Sequence, residues 1–257
     1  MTTSVAKTIE ARVQGRVGHI TLNRPPLNVL DTAMMLELDD AISQVVDRVD
    51  FLVLRGAGAK GFSAGAEVAD HTPDRVRAML AAFHSIFRRL ARAECITIAL
   101  VHGYCLGGGM ELATFCDFVV ASESAVFGQP EIKLGCFPPI AMISFPKLCG
   151  LHAAIDLILT GKTITANEAH RLGLVSRIED ESNWSNDKSG VLEELCALSP
   201  SVLQLTRKTL RKLNATDFEE SLEEIERIYF DELMALKDAS EGIRAFMERR
   251  TAVWHHD

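Results

Sequence analysis

Apolar and polar residues alternate through Ile9, Ala11 and Val13, break near Gln14-Gly15, and resume over residues 17–22. That period of two, with a glycine at the break, predicts a β-hairpin. Pro25-Pro26 ends the second strand, because proline cannot donate to a strand ladder. The period then changes: Met34, Met35, Leu38, Ile42, Val45 and Val46 recur at helical spacing, with Asp31 or Thr32 placed to cap the helix. Residues 51–54 (FLVL) are apolar at every position, the pattern of a short buried strand. A glycine-rich loop follows (RGAGAKGFSAGAEV), in which Phe62 ends a strand. Next come a second amphipathic helix over residues 74–92 and a second buried strand over residues 96–101. FVVA and AVFG read as two more short strands, with residues 122–124 as their turn.

From Pro139 onward the helical period dominates. TITANEAHRLGLV holds a helix closed by Gly173, VSRI is a last strand, and residues 181–188 are polar and loop-like. Further helices are expected at residues 190–198, 202–213, 218–236 and 239–249. Strands and helices mix over the first two thirds and helices alone follow. This order predicts an α/β core over residues 1–190 and a helical C-terminal module over residues 191–257.

Composition narrows the partners. A chain of 257 residues, 47% of them apolar, can bury a sizeable core. Its net charge of −8 argues against nucleic acid or an anionic membrane as the main partner. No run approaches the ~20 apolar residues that span a bilayer, and the first residues carry no secretory signal pattern. The six cysteines stand singly and form no CxxC, so buried reduced thiols are expected rather than a metal site or a disulfide framework. The expectation is a cytoplasmic globular protein with no metal.

Three segments carry candidate chemistry. In FSAGAEV the small residues Ser63, Ala64, Gly65 and Ala66 leave the backbone open to close approach, and such turns can gather N–H groups into an anion-binding nest. In YCLGGGMEL a helix is expected to start within Gly107, Gly108 and Gly109, presenting unpaired N–H groups, with Glu111 near its second or third position. A glutamate there commonly does no more than favour the helix dipole. In FGQPEIKLG, Pro130 breaks the strand and Glu131 follows. Should Glu111 and Glu131 converge, their pKa values would split, one serving as acid and the other as base.

The ordered set HITLNRPPLNVL, GFSAGAEV, GYCLGGGMELATFCDFVVASESAVFGQPEIKLG, LTGKTITANEAHRLGLVSRI and DASEGIRAFMERR, spread over residues 8–250, resembles the enoyl-CoA hydratase/isomerase (crotonase) family. The resemblance implies a spiral of ββα turns whose C-terminal helices support oligomerisation, as a homo-trimer or hexamer. It implies an acyl-CoA thioester substrate, with coenzyme A entering as part of that substrate and no separate cofactor. Two backbone N–H groups, at positions matching Ala66 and Gly108, would bind the thioester oxygen, with Gly107 and Gly109 giving room for the thioester and a tight helix entry. Hydrating members carry two glutamates, matching Glu111 and Glu131. The coenzyme would lie along backbone matching Leu27, Val29, Ala64, Ala66, Glu67, Val68 and Ala69. The implied chemistry is coherent. Adding water to a conjugated thioester places charge on its oxygen, so fixed N–H donors stabilise the transition state more than the ground state. One carboxylate activates water and the other delivers a proton to carbon. Glu111 is assigned the water and Glu131 the proton, with the reverse split or shared duty as the alternative.

Departures from the family pattern bear on the substrate. Glu67 replaces a common Asp, and Ala69 stands where a polar residue often meets the nucleotide. In LGCFPPIAMISFPKLCG, Pro138-Pro139 and Ile140 replace a glycine-rich stretch, which points to a reshaped acyl pocket lined by Pro138 and Ile140. RPPLNVLD together with GCFPPIA resembles the subgroup that hydrates cyclohexa-1,5-diene-1-carbonyl-CoA in anaerobic aromatic degradation. There the hydroxyl would add at the β carbon and the proton at the far end of the dienolate. A linear short-chain enoyl-CoA of fatty-acid β-oxidation is the alternative substrate. A double-bond isomerase is disfavoured by the presence of both glutamates, and a non-catalytic RNA-binding relative by the acidic balance.

Overall fold

The computed structural model describes residues 7–187, 189–213 and 218–254. Strand β1 (Ile9–Gln14) pairs antiparallel with β2 (Val17–Leu22), and helix α1 (Thr32–Val45) follows. Asp31 is its cap: its carboxylate accepts from the Met34 N–H at 2.8 Å. A three-part turn then repeats. Strand β3 (Phe51–Gly56) joins β2 in one sheet, β4 (Gly61–Ser63) starts a second sheet, and α2 (Val76–Arg92) leads back. Next come β5 (Ile96–Val101), β6 (Tyr104–Leu106) and α3 (Gly108–Thr114). The third turn is β7 (Phe118–Ala121) and β8 (Val126–Gly128), then a 3₁₀ turn (Pro130–Leu134), α4 (Pro139–Cys149) and α5 (Leu151–Thr160). Strand β9 (Thr163–Thr165), α6 (Ala166–Arg171) and β10 (Arg177–Ile178) complete the sheets. The sheet orders are β1-β2-β3-β5-β7-β10 and β4-β6-β8-β9. This is the ββα spiral implied by the resemblance.

The larger sheet divides the interior. Leu52 and Leu54 point to the side covered by α1 and α2, while Phe51, Val53, Ile96, Ile98 and Leu100 point to the other. There Val191, Leu192 and Leu195 of α7 (Gly190–Cys196) cover them, with Trp184. Both faces of β3 and β5 are therefore buried, which is why their sequences are apolar throughout. Helix α8 (Pro200–Leu213) is tied down by charge: Arg207 and Arg211 reach Asp117 at 2.6 and 2.9 Å. Asp117 also accepts from the Thr97 N–H and hydroxyl. Helix α9 (Phe218–Asp231) meets α2 through His84–Glu226 at 2.6 Å and Arg88–Glu219 at 2.6 Å. Helix α10 (Lys237–Met247) lies against the Pro130–Leu134 turn so closely that any side chain at Gly242 would overlap the Leu134 carbonyl.

Several expectations change. The second sheet was visible only in part, because its strands are three residues long. Residues 163–165 add a strand ahead of the expected helix, and Thr165 caps α6 in a reciprocal capping box with Glu168. The helix expected over 74–92 starts at Val76. The one expected over 218–236 stops at Asp231 and is followed by a 3₁₀ turn, Leu233–Ala235. Of the loop expected over 181–188, residues Glu181–Asp187 form a 3₁₀ turn and Lys188 lies outside the described residues. Cys95, Cys105, Cys116 and Cys136 are buried free thiols, each raised in pKa by burial. No helix among the described residues is long and apolar enough to cross a membrane.

Asp117→Ala leaves the Arg207 guanidinium, 9% exposed, without its charge partner. Urea denaturation should show a loss of about 3 kcal/mol, the lower end for breaking a buried ion pair. A loss below about 1 kcal/mol would mean that α8 is not anchored there.

Candidate active site

The glycine triplet that leads from β6 into α3 makes room for the protein's own groups. Gly107 sits at φ 52°, ψ −132°, and a Cβ there would lie 2.7 Å from Oε1 of Glu131. A Cβ on Gly109 would lie 2.7 Å from the Ser63 carbonyl oxygen. At these two positions the crowding atoms belong to Glu131 and Ser63, which revises the expected room for a thioester. Gly108 faces the other segment: its missing Cβ would stand 3.5 Å from the Ala66 nitrogen. Among the described residues neither the Ala66 nor the Gly108 N–H has a hydrogen-bond acceptor. Two free backbone donors thus lie side by side, one from each motif.

Residues 27–30 hold that loop in place. Ala64 N–H donates to the Leu27 carbonyl at 2.9 Å, Leu30 N–H to Gly65 at 2.9 Å, and Glu67 N–H to Leu30 at 2.8 Å. Asn28, fully buried at φ 49°, donates its side-chain amide to the Ala57, Gly61 and Phe62 carbonyls. Asparagine tolerates that left-handed backbone better than most residues.

Glu111 is the fourth residue of α3, one position beyond the expected range, and its own N–H already closes the first turn on Gly107. Its side chain does not cap α3. Instead Oε1 accepts from the Ala141 N–H at 2.9 Å, and the Ile140 amide also stabilises it. These are first-turn donors of α4, which starts with Pro139 and so offers no N–H there. The GCFPPIA segment therefore does two things: its prolines start α4, and its next two amides hold the Glu111 carboxylate. Ile140 itself is fully buried in the core and does not line the pocket, which corrects its expected role. Pro138 does line it, with Pro139.

Glu131 comes from the 3₁₀ turn after β8. Gln129, fully buried, satisfies its neighbours when its amide nitrogen faces Glu131, 3.1 and 3.0 Å from the two carboxylate oxygens. Glu111, Glu131, Ala66 and Gly108 all line one inner pocket. Its remaining wall is His71, Met79, Leu80, Phe83, Phe137, Pro138, Pro139 and Tyr229. An outer cavity of about 370 Å³ adjoins it, lined by Ala64, Gly65, Ala66, Val68, His71, Gly107, Pro130, Glu131, Lys133, Leu134 and Phe246. Leu27, Val29, Glu67 and Ala69 line neither; they take part in the backbone bonding behind it. Tyr229 and Phe137, whose rings meet edge to face at 5.0 Å, had no sequence signal beyond an apolar stripe. His71 was legible only as a polar residue just past the small-residue loop.

The electrostatics follow from enclosure. Burial pushes Glu111 up to about 7, against the pull of the Ala141 and Ile140 amides. Glu131 stands well above the ordinary carboxylate range, first through burial and then through the charge of Glu111, against the pull of its own backbone N–H. Two carboxyls in one apolar site ionise in sequence as a pair. Glu111, with two amides on its charged form, ionises first. At neutral pH the arrangement supplies one carboxylate, one carboxylic acid and two unpaired N–H donors around a single pocket.

A raised native pKa means that the folded chain holds the Glu111 proton more tightly than the unfolded chain. The resulting stabilisation is present below about 4.5 and is lost as pH rises through about 7. Glu111→Gln keeps the acceptor for Ala141 without the charge. The variant should therefore be more stable than the parent at pH 8, by up to about 3 kcal/mol, and nearly equal at pH 4.5. Urea midpoints at the two pH values check this; a parent that is the more stable at pH 8 would contradict it.

Comparison with known proteins agrees with this geometry. The family described as "Enoyl-CoA hydratase/isomerase" matches residues 12–257. The chain is 38% identical to a "Probable enoyl-CoA hydratase" of Rhizobium meliloti, covering 97% of this chain and 98% of that one. It is 33% identical to the "Cyclohexa-1,5-dienecarbonyl-CoA hydratase" of Thauera aromatica, covering 94% of each. Its fold superposes on an enoyl-CoA hydratase crystal structure from Mycobacterium avium subsp. paratuberculosis with a TM-score of 0.85 at 25% identity, over 96% of this chain and 98% of that one. With the ββα spiral, the paired N–H groups and the two convergent glutamates, these matches establish that the chain belongs to the enoyl-CoA hydratase/isomerase family.

Proposed function

We propose that this chain is a hydro-lyase that adds water to the conjugated double bond of an acyl-CoA thioester. The observation that carries the reading is the convergence of two unpaired N–H groups and two carboxyls on one pocket. The thioester oxygen would sit between the Ala66 and Gly108 N–H groups, where it gathers charge as the enolate forms. Removing one such donor typically costs on the order of 3 kcal/mol of transition-state stabilisation. Glu111, ionised first, takes a proton from water as the hydroxyl adds to the β carbon. Glu131, held protonated, gives its proton to carbon, and the proton taken up by Glu111 balances the cycle. The outer cavity is the place for the pantetheine arm of coenzyme A.

The acyl group is proposed to be a flat unsaturated ring, cyclohexa-1,5-diene-1-carbonyl-CoA going to 6-hydroxycyclohex-1-ene-1-carbonyl-CoA. Support comes from the pocket wall, which Phe83, Phe137 and Tyr229 share with Pro138 and Pro139. A linear short-chain enoyl-CoA is the second reading, favoured by the likeness to a protein named "Short-chain-enoyl-CoA hydratase", 32% identical over 92% of this chain. An isomerase would not need both carboxyls. Self-association is also proposed, as a trimer or hexamer: Leu151, Ile155 and Leu159 recur every four residues on α5 and are exposed, with Leu148 beside them. Such a stripe suits a second copy of the chain.

Rates on crotonyl-CoA and on the cyclic dienoyl-CoA, with mass analysis for added water, separate the two substrates. A clear preference for the ring is expected, and a strong preference for crotonyl-CoA would overturn that part. Glu111→Gln and Glu131→Gln should each lower turnover at least ~100-fold while thioester binding stays nearly unchanged; a near-normal rate in either removes its assigned role. Because Glu111 must be ionised, kcat/KM should fall below a pH of about 7 and fall again once Glu131 loses its proton. A profile flat from pH 5 to 8 would contradict the assignment.

A further inference from the structure

Gln129 sits between β8 and the Pro130–Leu134 turn and is fully buried. Its backbone carbonyl packs against Gly161 at the end of α5, where a Cβ would lie 3.3 Å from it. The two ends of a glutamine amide differ: the nitrogen only donates and the oxygen only accepts. Both sides of the amide decide which end faces Glu131. With the nitrogen toward Glu131, it lies 3.1 and 3.0 Å from the two carboxyl oxygens, and the amide oxygen faces a donor on the far side. A protonated Glu131 could offer its O–H to an amide oxygen turned toward it. That turn, however, would set the amide nitrogen against the far donor in a buried site, which is costly.

Little else competes for this carboxyl. The titratable groups on the elements around it are Glu111 of α3, His71 of the Val68–His71 turn, Tyr229 of α9, and Lys133 and Cys136 on its own segment. On α10, Glu241 is taken up by Arg244 and Arg250. Glu111 is held by Ala141, the Cys136 thiol donates to the backbone carbonyl of Glu131 at 3.4 Å, and the Tyr229 hydroxyl meets that thiol. Among the described residues, Gln129 is the one side chain that hydrogen-bonds the Glu131 carboxyl.

A partner that donates and cannot accept has two consequences for an acid. While Glu131 is protonated, its O–H finds no acceptor in Gln129, so the proton is not tied down within the protein. Once the proton leaves, the carboxylate meets an N–H already in place. Burial and the Glu111 charge keep the proton on; the amide makes it transferable. We propose that Gln129 is a positioning residue for the proton transfer, one that leaves the Glu131 proton free for the substrate carbon and stabilises the carboxylate that remains. This rests on the acid role given to Glu131 above and adds the residue that supports it.

Two variants test this. Gln129→Met keeps the length of the side chain and has no N–H; Gln129→Asn keeps an amide and falls a methylene short of Glu131. Rates on crotonyl-CoA and on the cyclic dienoyl-CoA are followed from about pH 5 to 10, and the Glu131 carboxyl carbon is titrated by NMR. Removing a donor to the charged form makes an acid hold its proton longer. In Gln129→Met, kcat should therefore fall about tenfold with KM nearly unchanged. The alkaline limb of kcat/KM and the Glu131 titration should both move up by about 1 to 2 on the pH scale, the worth of one hydrogen bond to a charged group. Gln129→Asn should move both the same way by less, and it decides the matter should Gln129→Met not fold. A Glu131 titration that stays in place or moves down would overturn the proposal. So would a raised KM with kcat unchanged, the mark of a merely structural residue. A titration that moves up beside an unmoved alkaline limb would show that Glu131 is not the acid, and would overturn that reading and the proposal with it.

Discussion

Two carboxyl groups enclosed in one apolar pocket repel each other and resist ionisation, and much of the surrounding structure serves to keep them there. The Glu111 carboxylate is held by the first free amides of α4, a helix that begins in the pocket wall. Glu131 is held by Gln129 and by the space left at Gly107. Each device is local, yet the two carboxyls come from different turns of the spiral. Only the parallel stacking of β6 on β8 in the second sheet brings α3 and the Pro130–Leu134 turn together. The two N–H donors depend on the same sheet, because β4 pairs with β6 and so sets the Ala66 loop beside Gly108.

The C-terminal helices finish the enclosure. Tyr229 of α9 closes one wall of the inner pocket and Phe246 of α10 borders the outer cavity. Their anchors are polar: His84 and Arg88 of α2 bind Glu226 and Glu219 of α9. Helix α10 is drawn onto the Glu131 turn through a glycine contact. Losing these helices would open the pocket to water, lower the carboxyl pKa values toward their ordinary range and dissolve the division of labour between acid and base.

Much of this was legible in the sequence, for identifiable reasons. The strands of the larger sheet announced themselves because burial on both faces makes a continuous apolar run, as in FLVL and ITIALV. The first helix was plain because Asp31 caps it and its apolar residues keep the helical period. Strands β6 and β9 were obscure because three residues cannot establish a period. GFSAGAEV, GGGMEL and QPEI were recognisable as an ordered set, although each alone is an ordinary loop or helix start. The function of GCFPPIA was only half visible. Its prolines do face the pocket, but its amides grip Glu111, and an amide has no side-chain signature. His71, Phe137 and Tyr229 were missed because their place on the wall depends on packing between elements far apart in the chain.

The central claim is that the pair rests with Glu111 ionised and Glu131 protonated near neutral pH. Titration of ¹³C-labelled glutamate carboxyls by NMR reads this directly, with the two Glu→Gln variants assigning the signals. The account predicts that the Glu111 carbon titrates near pH 7 and that the Glu131 carbon is still protonated when Glu111 has ionised. Two carboxyls that are both ionised by pH 5, or an order in which Glu131 ionises first, would contradict it.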